Sequence, residues 1–228
     1  MAVTHPAVGA PLPGRATPVG RVASLARGLP RLGGGWPRRG ISIAVMDPDG
    51  AGRSTLAGAV AAGYGPPPAR VVYMGLWQGE GERPGSALPA AVLAAARRPF
   101  RSWRRAAVAL YHQARGRLVV FDRHPYDALL PPRPPHVALK RVFFTLLART
   151  VPAPSLVLVL DLPAEVIARR RPEEDPAALA AARADYFALA ARLPQAIVLD
   201  ADRPPDAVRA AALDRIWQTA MTDRGRRS

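Results

Sequence analysis

Ile41-Ser42-Ile43-Ala44-Val45-Met46-Asp47-Pro48-Asp49-Gly50-Ala51-Gly52-Arg53-Ser54-Thr55-Leu56-Ala57-Gly58-Ala59-Val60-Ala61-Ala62 runs from a short β-branched apolar stretch, through a glycine turn, into an Ala-rich helix former. Strand, glycine loop and helix form the context of a GxxxxGK[ST] phosphate cradle, here with Asp47 in place of the first Gly and Arg53 in place of the Lys. Glycines let backbone N–H groups turn inward on a phosphate chain, and a helix N-terminus adds the positive end of its dipole. Asp49, Gly50, Ala51, Gly52, Arg53, Ser54 and Thr55 are therefore the candidate phosphate-binding residues, with the Ser54 hydroxyl placed to reach Mg²⁺. A nucleoside triphosphate is the implied ligand.

The two departures pull against that reading. The chain has a single Lys, Lys140, among 32 basic residues, so Arg53 is in keeping with a general drift from Lys to Arg. The exchange is still physical: Lys is a compact point charge that fits under β- and γ-phosphates, whereas Arg is a bulkier planar fork. Asp47 sets a negative side chain near the loop mouth, which repels phosphates unless it points away.

With 228 residues and 49% hydrophobic content the chain can bury one good core, and the absence of Cys removes disulfide frameworks and thiolate metal sites. One cytoplasmic α/β domain is the expectation. The formal net charge of +15 suits phosphate-bearing partners, and is also what an Arg-biased composition produces by itself. Residues 1–38 are rich in Pro, Gly, Ala and Arg, hold no acid and show no sustained period, so they read as a disordered basic tail. A transit-type targeting role stays open for that tail. A secretory signal does not fit, because Arg and Pro interrupt every apolar run, and no stretch has the ~20 apolar residues of a membrane span. Residues 223–228 read as a flexible basic end.

Between the tails, from 39 to 222, strand and helix patterns alternate. Apolar strands are expected at 41–46, 70–74, 118–121, 155–160 and 196–199, with helices from 56, within 88–115, and at 138–150, 163–171, 176–193 and 205–221; a long loop runs through Gly85. Near-continuous apolar strands separated by helices predict an α/β fold: a five-stranded parallel sheet with helices on both faces. Ligands in such sheets gather at the carboxyl ends of the strands.

The polar residues that end the strands are thus candidates. The third strand ends in Asp122-Arg123-His124, delivering a carboxylate and a guanidinium to that edge. The pair suits phosphoryl transfer: Asp122 can order Mg²⁺ and water or take a hydroxyl proton, and Arg123 can clamp an acceptor phosphate or the moving phosphoryl group. After the fourth strand, Asp161-Leu162-Pro163 opens a helix into Arg169-Arg170-Arg171, followed by Glu173-Glu174-Asp175; this is either a self-neutralising helix end or an arginine-bearing flap over a nucleotide. Arg97, Arg98, Arg101, Arg104 and Arg105 recur at helical spacing as one basic stripe, open to an anionic acceptor or to solvent.

The loop at 47–55, Val119-Val120-Phe121-Asp122-Arg123-His124, Leu158-Val159-Leu160-Asp161-Leu162-Pro163-Ala164-Glu165 and Arg169-Arg170-Arg171 together resemble thymidylate kinase and its relatives. The closing run from Leu193 to Pro205, with Asp202 and Arg203, resembles that family's last strand and the turn against the adenine. The resemblance spans about residues 40–221. It implies a P-loop NTPase fold of the nucleoside monophosphate kinase kind, ATP with Mg²⁺ as donor and a nucleoside monophosphate as acceptor. By position, Arg53 and Ser54 hold the donor phosphates and metal, Ser54 and Asp122 serve the Mg²⁺, and Asp122 and Arg123 form the reacting centre. Arg169, Arg170 and Arg171 form the lid, Asp202 and Arg203 lie by the base, and Arg83, Arg101, Arg105 and Arg123 face the acceptor. The family has an acid where this chain has Met46, an Arg-Glu-Pro-Gly-Gly turn where it has Glu82-Arg83-Pro84-Gly85-Ser86, and usually Tyr where it has His124.

Three functions follow as alternatives: a thymidylate kinase-like phosphotransferase acting on a nucleotide or related small acceptor, a nucleotide-binding pseudo-kinase with a degenerate loop, and a basic module holding nucleic acid. No nucleic-acid fold motif is present, which argues against the third. The partners expected are ATP and a small phosphate-accepting substrate, with a homodimer left open.

Overall fold

The computed structural model describes residues 40–48, 50–75, 88–131 and 137–225, all within one compact unit. The tail at 1–38, Asp49, Arg83 with the rest of its loop, and residues 226–228 lie outside the described residues, as do the side chains of Arg97 and Arg98.

Five strands form one sheet: β1 (Ser42–Met46), β2 (Arg70–Tyr73), β3 (Val119–Asp122), β4 (Leu156–Asp161) and β5 (Ala196–Asp200). Their order is β2-β3-β1-β4-β5 and every pairing is parallel. The helices are α1 (Arg53–Gly63), α2 (Leu88–Ala114), α3 (Val137–Thr150), α4 (Ala164–Arg170), α5 (Pro176–Ala190) and α6 (Pro205–Gly225). This is the α/β architecture that the alternation of patterns predicts, and it follows from the chemistry of the strands. Alternate residues of a strand point to opposite faces, and here both faces are apolar. Ile43, Val45, Val120, Leu158 and Leu160 pack with Leu56 and Val60 of α1, Ile167 of α4 and Val208, Ala212 and Ile216 of α6. Ala44, Met46, Val119, Phe121, Val157 and Val159 pack with Ala106 and Ala109 of α2, Ala148 of α3 and Tyr186 and Leu189 of α5. A stack of Tyr64 on Trp217, with ring centroids 4.7 Å apart, joins the end of α1 to α6.

Boundaries depart from the expected ones where polar residues continue a backbone pattern. β3 and β4 take in their terminal carboxylates Asp122 and Asp161, and α1 begins at Arg53 rather than 56. The closing helix continues past 221 to Gly225, so Asp223 is helical rather than part of a loose end. A 3-10 helix at Pro125–Leu129, started by Pro125 and capped by the His124 ring, has no counterpart in the apolar pattern.

The order of strands sets the location of chemistry. After β1 the chain crosses to β2 and β3 on one side and then to β4 and β5 on the other. The crevice at the carboxyl end of β1 is therefore the topological switch point where open α/β sheets bind ligands, and the glycine loop leaves from that end.

Candidate functional site

Asp47 follows β1 directly and is 1% exposed. Its Oδ2 accepts the Ala51 backbone N–H at 3.1 Å, closing the turn on itself. Gly50 and Gly52 lie at φ 111° and 97°, in the region that side chains avoid, so both glycines are required by the backbone. The turn delivers Arg53 as the first residue of α1, and there the guanidinium meets two carboxylates. Nη1 pairs with Oδ1 of Asp47 and Nε with Oδ1 of Asp122 at 2.7 Å. Burial works to lower the pKa of Arg53, but Asp47 and Asp122 outweigh it and raise it, with Arg123 acting the other way. The Ser54 hydroxyl donates to Oδ2 of Asp122 at 2.8 Å. Asp122 thus takes one bond on each oxygen from adjacent residues of the loop–helix junction.

Arg123 comes next, at φ 66°, the only non-glycine with positive φ among the described residues. Holding an Arg there costs about 1 kcal/mol. Its N–H donates to Val45 O at 3.3 Å, and its Nη1 lies 3.7 Å from Asp127 Oδ2. Tyr186 of α5 donates its hydroxyl to the other Asp127 oxygen at 3.1 Å. Burial foremost, then Asp127, raises the Tyr186 hydroxyl far above the usual tyrosine range, while Arg123 draws it back and Asp47 adds a smaller upward push. Asp47, Arg53, Ser54, Asp122, Arg123, Asp127 and Tyr186 form one connected polar patch at the carboxyl ends of β1 and β3.

His124 turns away from it. The ring is fully buried, in edge contact with Tyr126 and tilted against Phe121. Nδ1 accepts the Tyr126 N–H at 3.3 Å, which leaves the hydrogen on Nε2. Burial lowers its pKa to about 3, with the Pro152 carbonyl pulling the other way.

The structure divides the expected lid. Arg169 and Arg170 are exposed, the Nε of Arg169 donating to the Glu165 carbonyl at 3.3 Å. Arg171 instead lies against the loop: a Cβ on Gly50 would sit 3.4 Å from Arg171 Cδ and 3.1 Å from Ile167 Cγ2. Its Nη1 pairs with Glu174 at 2.5 Å. The basic stripe of α2 divides too. Arg105 donates to the Gly75 carbonyl at 3.1 Å, beside the Tyr73 ring at the carboxyl end of β2, whereas Arg104 is exposed. Burial first, then the charge of Arg101, lowers the pKa of Arg105. Asp202 and Arg203 are exposed on the turn after β5, where the Asp202 N–H bonds Asp200 Oδ1 at 3.0 Å. Thr55 is exposed in the first turn of α1.

Sequence reading missed two features. Asp161 at the end of β4 holds Arg183 of α5 through two bonds of 2.6 and 2.9 Å, a fork pairing between residues 22 apart that no local spacing reveals. The Asp127–Tyr186 bond likewise joins residues 59 apart.

A five-stranded parallel sheet with a glycine loop and helix N-terminus at its switch point defines the class: the fold is α/β, P-loop NTPase-like. Among solved structures, that of the thymidylate kinase from Candida albicans is similar, with a TM-score of 0.58 and 16% sequence identity over 82% of this chain and 94% of that one. At that identity the likeness is one of fold. No family model matches the sequence, and no curated protein matches it.

Proposed function

We propose that this chain is an ATP-dependent phosphotransferase resembling thymidylate kinase, which passes a phosphoryl group from ATP to a nucleoside monophosphate or a related small acceptor. The observation that carries the reading is the convergence of Ser54 and Arg53 on Asp122 at the start of α1. The residues fit a hard cation: Ser54 spends its hydrogen on Asp122, so the hydroxyl lone pairs remain to accept a metal beside a carboxylate. Ser54 and Asp122 would hold Mg²⁺, which when bound neutralises charge on the phosphates.

The chain's own groups have separable tasks in this reading. Gly50 and Gly52 shape a turn whose amides face phosphate, Arg53 supplies positive charge at its foot, and Arg171 packs over it. Arg123, fixed by the β3 terminus and Asp127, orients the group being transferred. Arg105 at the end of β2, with Arg101 beside it, meets an anionic acceptor.

One observation favours a second reading, nucleotide binding without turnover: Arg53 already carries two carboxylates, and a guanidinium so neutralised offers less to a β-phosphate. Incubating the full chain with Mg·ATP and a panel of nucleoside monophosphates, nucleosides and sugar acceptors separates the two. Transfer to at least one acceptor is expected, with Arg123→Ala lowering turnover far more than ATP affinity. ATP bound in calorimetry with no acceptor phosphorylated would leave the second reading standing.

A further inference from the structure

The loop departs from its consensus at two positions, and those two positions bond to each other. Read along the chain, Gly to Asp at 47 and Lys to Arg at 53 are separate defects. In the fold, Asp47 is 1% exposed and its two oxygens are divided, one to the Arg53 guanidinium and one to the Ala51 N–H. Arg53 in turn spans Asp47 and Asp122 with different edges of its fork, Nη1 on one and Nε on the other. A lysine at 53 presents a single point of charge in place of that span. A glycine at 47 takes one carboxylate from Arg53 and the acceptor from the Ala51 amide. The backbone permits the exchange: among the described residues only Arg123 is a non-glycine at positive φ, so position 47 does not demand glycine, whereas Gly50 and Gly52 keep it where φ requires.

We propose that Asp47 is a positioning residue for Arg53, and that the two departures are one coupled exchange in which the carboxylate holds the guanidinium and caps the loop at Ala51. The proposal rests on the phosphate-loop reading of the site. It reverses the simplest electrostatic expectation. Repulsion alone makes loss of the Asp47 charge tighten binding of a polyphosphate; positioning makes the same loss weaken it, because Arg53 is left to swing toward Asp122.

The test is a cycle of Asp47→Gly, Arg53→Lys and the double variant in the full chain, with Asp47→Asn as a fourth protein. Read out are the thermal midpoint of the protein alone and its Mg·ATP affinity by calorimetry. Each single change is expected to weaken Mg·ATP binding at least tenfold, and the double variant, a loop of the ordinary GxxxxGK[ST] kind, to return within threefold of wild type. Independent effects would multiply to about a hundredfold, so a double variant within threefold of wild type departs from additivity by at least about thirtyfold, which corresponds to about 2 kcal/mol of coupling. Asp47→Asn keeps an acceptor for the Ala51 amide but not the ion pair, so its midpoint should fall less than that of Asp47→Gly while its affinity falls as far, a split that a merely structural role would not produce. Additive single effects, or an Asp47→Asn protein that binds Mg·ATP as well as or better than wild type, would overturn the proposal. If neither wild type nor the double variant binds nucleotide, the kinase reading fails. The midpoints then decide the pair alone: two destabilising singles with a recovered double support it, and additive midpoints overturn it. Should Asp47→Gly fail to fold, Asp47→Asn carries the same decision.

Discussion

Acidification should destabilise this protein before most of its carboxylates titrate, and His124 is the reason. The ring is wholly buried and burial holds its pKa at about 3, against 6.5 in an unfolded chain. Below pH 6.5 the unfolded chain takes up a proton that the folded protein refuses until near pH 3. Stability is therefore complete above 6.5 and lost as pH falls toward 3, at about 1.4 kcal/mol per unit. Between pH 7 and pH 5 about 1.5 units count, a loss of roughly 2 kcal/mol, or ~4–8 °C of midpoint for a domain of this size. The assay is thermal unfolding of wild type and His124→Phe across that range. The phenyl ring keeps the contacts with Phe121 and Tyr126 and forfeits the 3.3 Å bond to the Tyr126 amide, so the variant should lose about 1 kcal/mol at pH 7. It should then show little further change to pH 5. Parallel acid slopes in the two proteins would refute the reasoning.

Two further substitutions probe the loop and the segment above it. Gly50→Ala forces a side chain to φ 111° and sets its Cβ 3.1 Å from Ile167, so we expect about 1–2 kcal/mol of destabilisation, a midpoint ~2–8 °C lower and weaker Mg·ATP binding; an unchanged midpoint would show that the turn is not held as described. Arg171→Ala should weaken Mg·ATP binding by several-fold while Arg169→Ala leaves it near wild type, because only Arg171 lies against the loop; equal effects measured by calorimetry would count against that division.

The sheet was legible because a strand covered on both faces must be apolar along its length, and β1 from Ser42 to Met46 is buried at every position. The loop was legible because Gly50 and Gly52 occupy backbone angles that other residues avoid. Partners distant in sequence were hidden. Asp161 meets Arg183, and Asp127 meets Tyr186, only because β4, the 3-10 turn and α5 converge in three dimensions. The basic runs misled for a related reason. Helical spacing places Arg104 and Arg105 in one stripe with Arg101, and adjacency places Arg170 and Arg171 in one run, but the neighbouring elements select one of each: Gly75 and Tyr73 draw in Arg105, and the loop draws in Arg171. Asp47 misled most, since a motif compared position by position assigns it repulsion, while the fold turns it onto Arg53 and the Ala51 amide.

The central claim is that the junction of β1 and α1 binds a nucleoside triphosphate with its cation, and the most direct measurement is the thermal midpoint of the full chain with and without Mg·ATP. A ligand held only by the folded state at a hundred times its Kd adds about 2.7 kcal/mol, which is ~5–11 °C here. The account predicts that rise with Mg·ATP and a much smaller one with ATP and a chelator, because Ser54 and Asp122 act through the metal. An unchanged midpoint at millimolar Mg·ATP would contradict it.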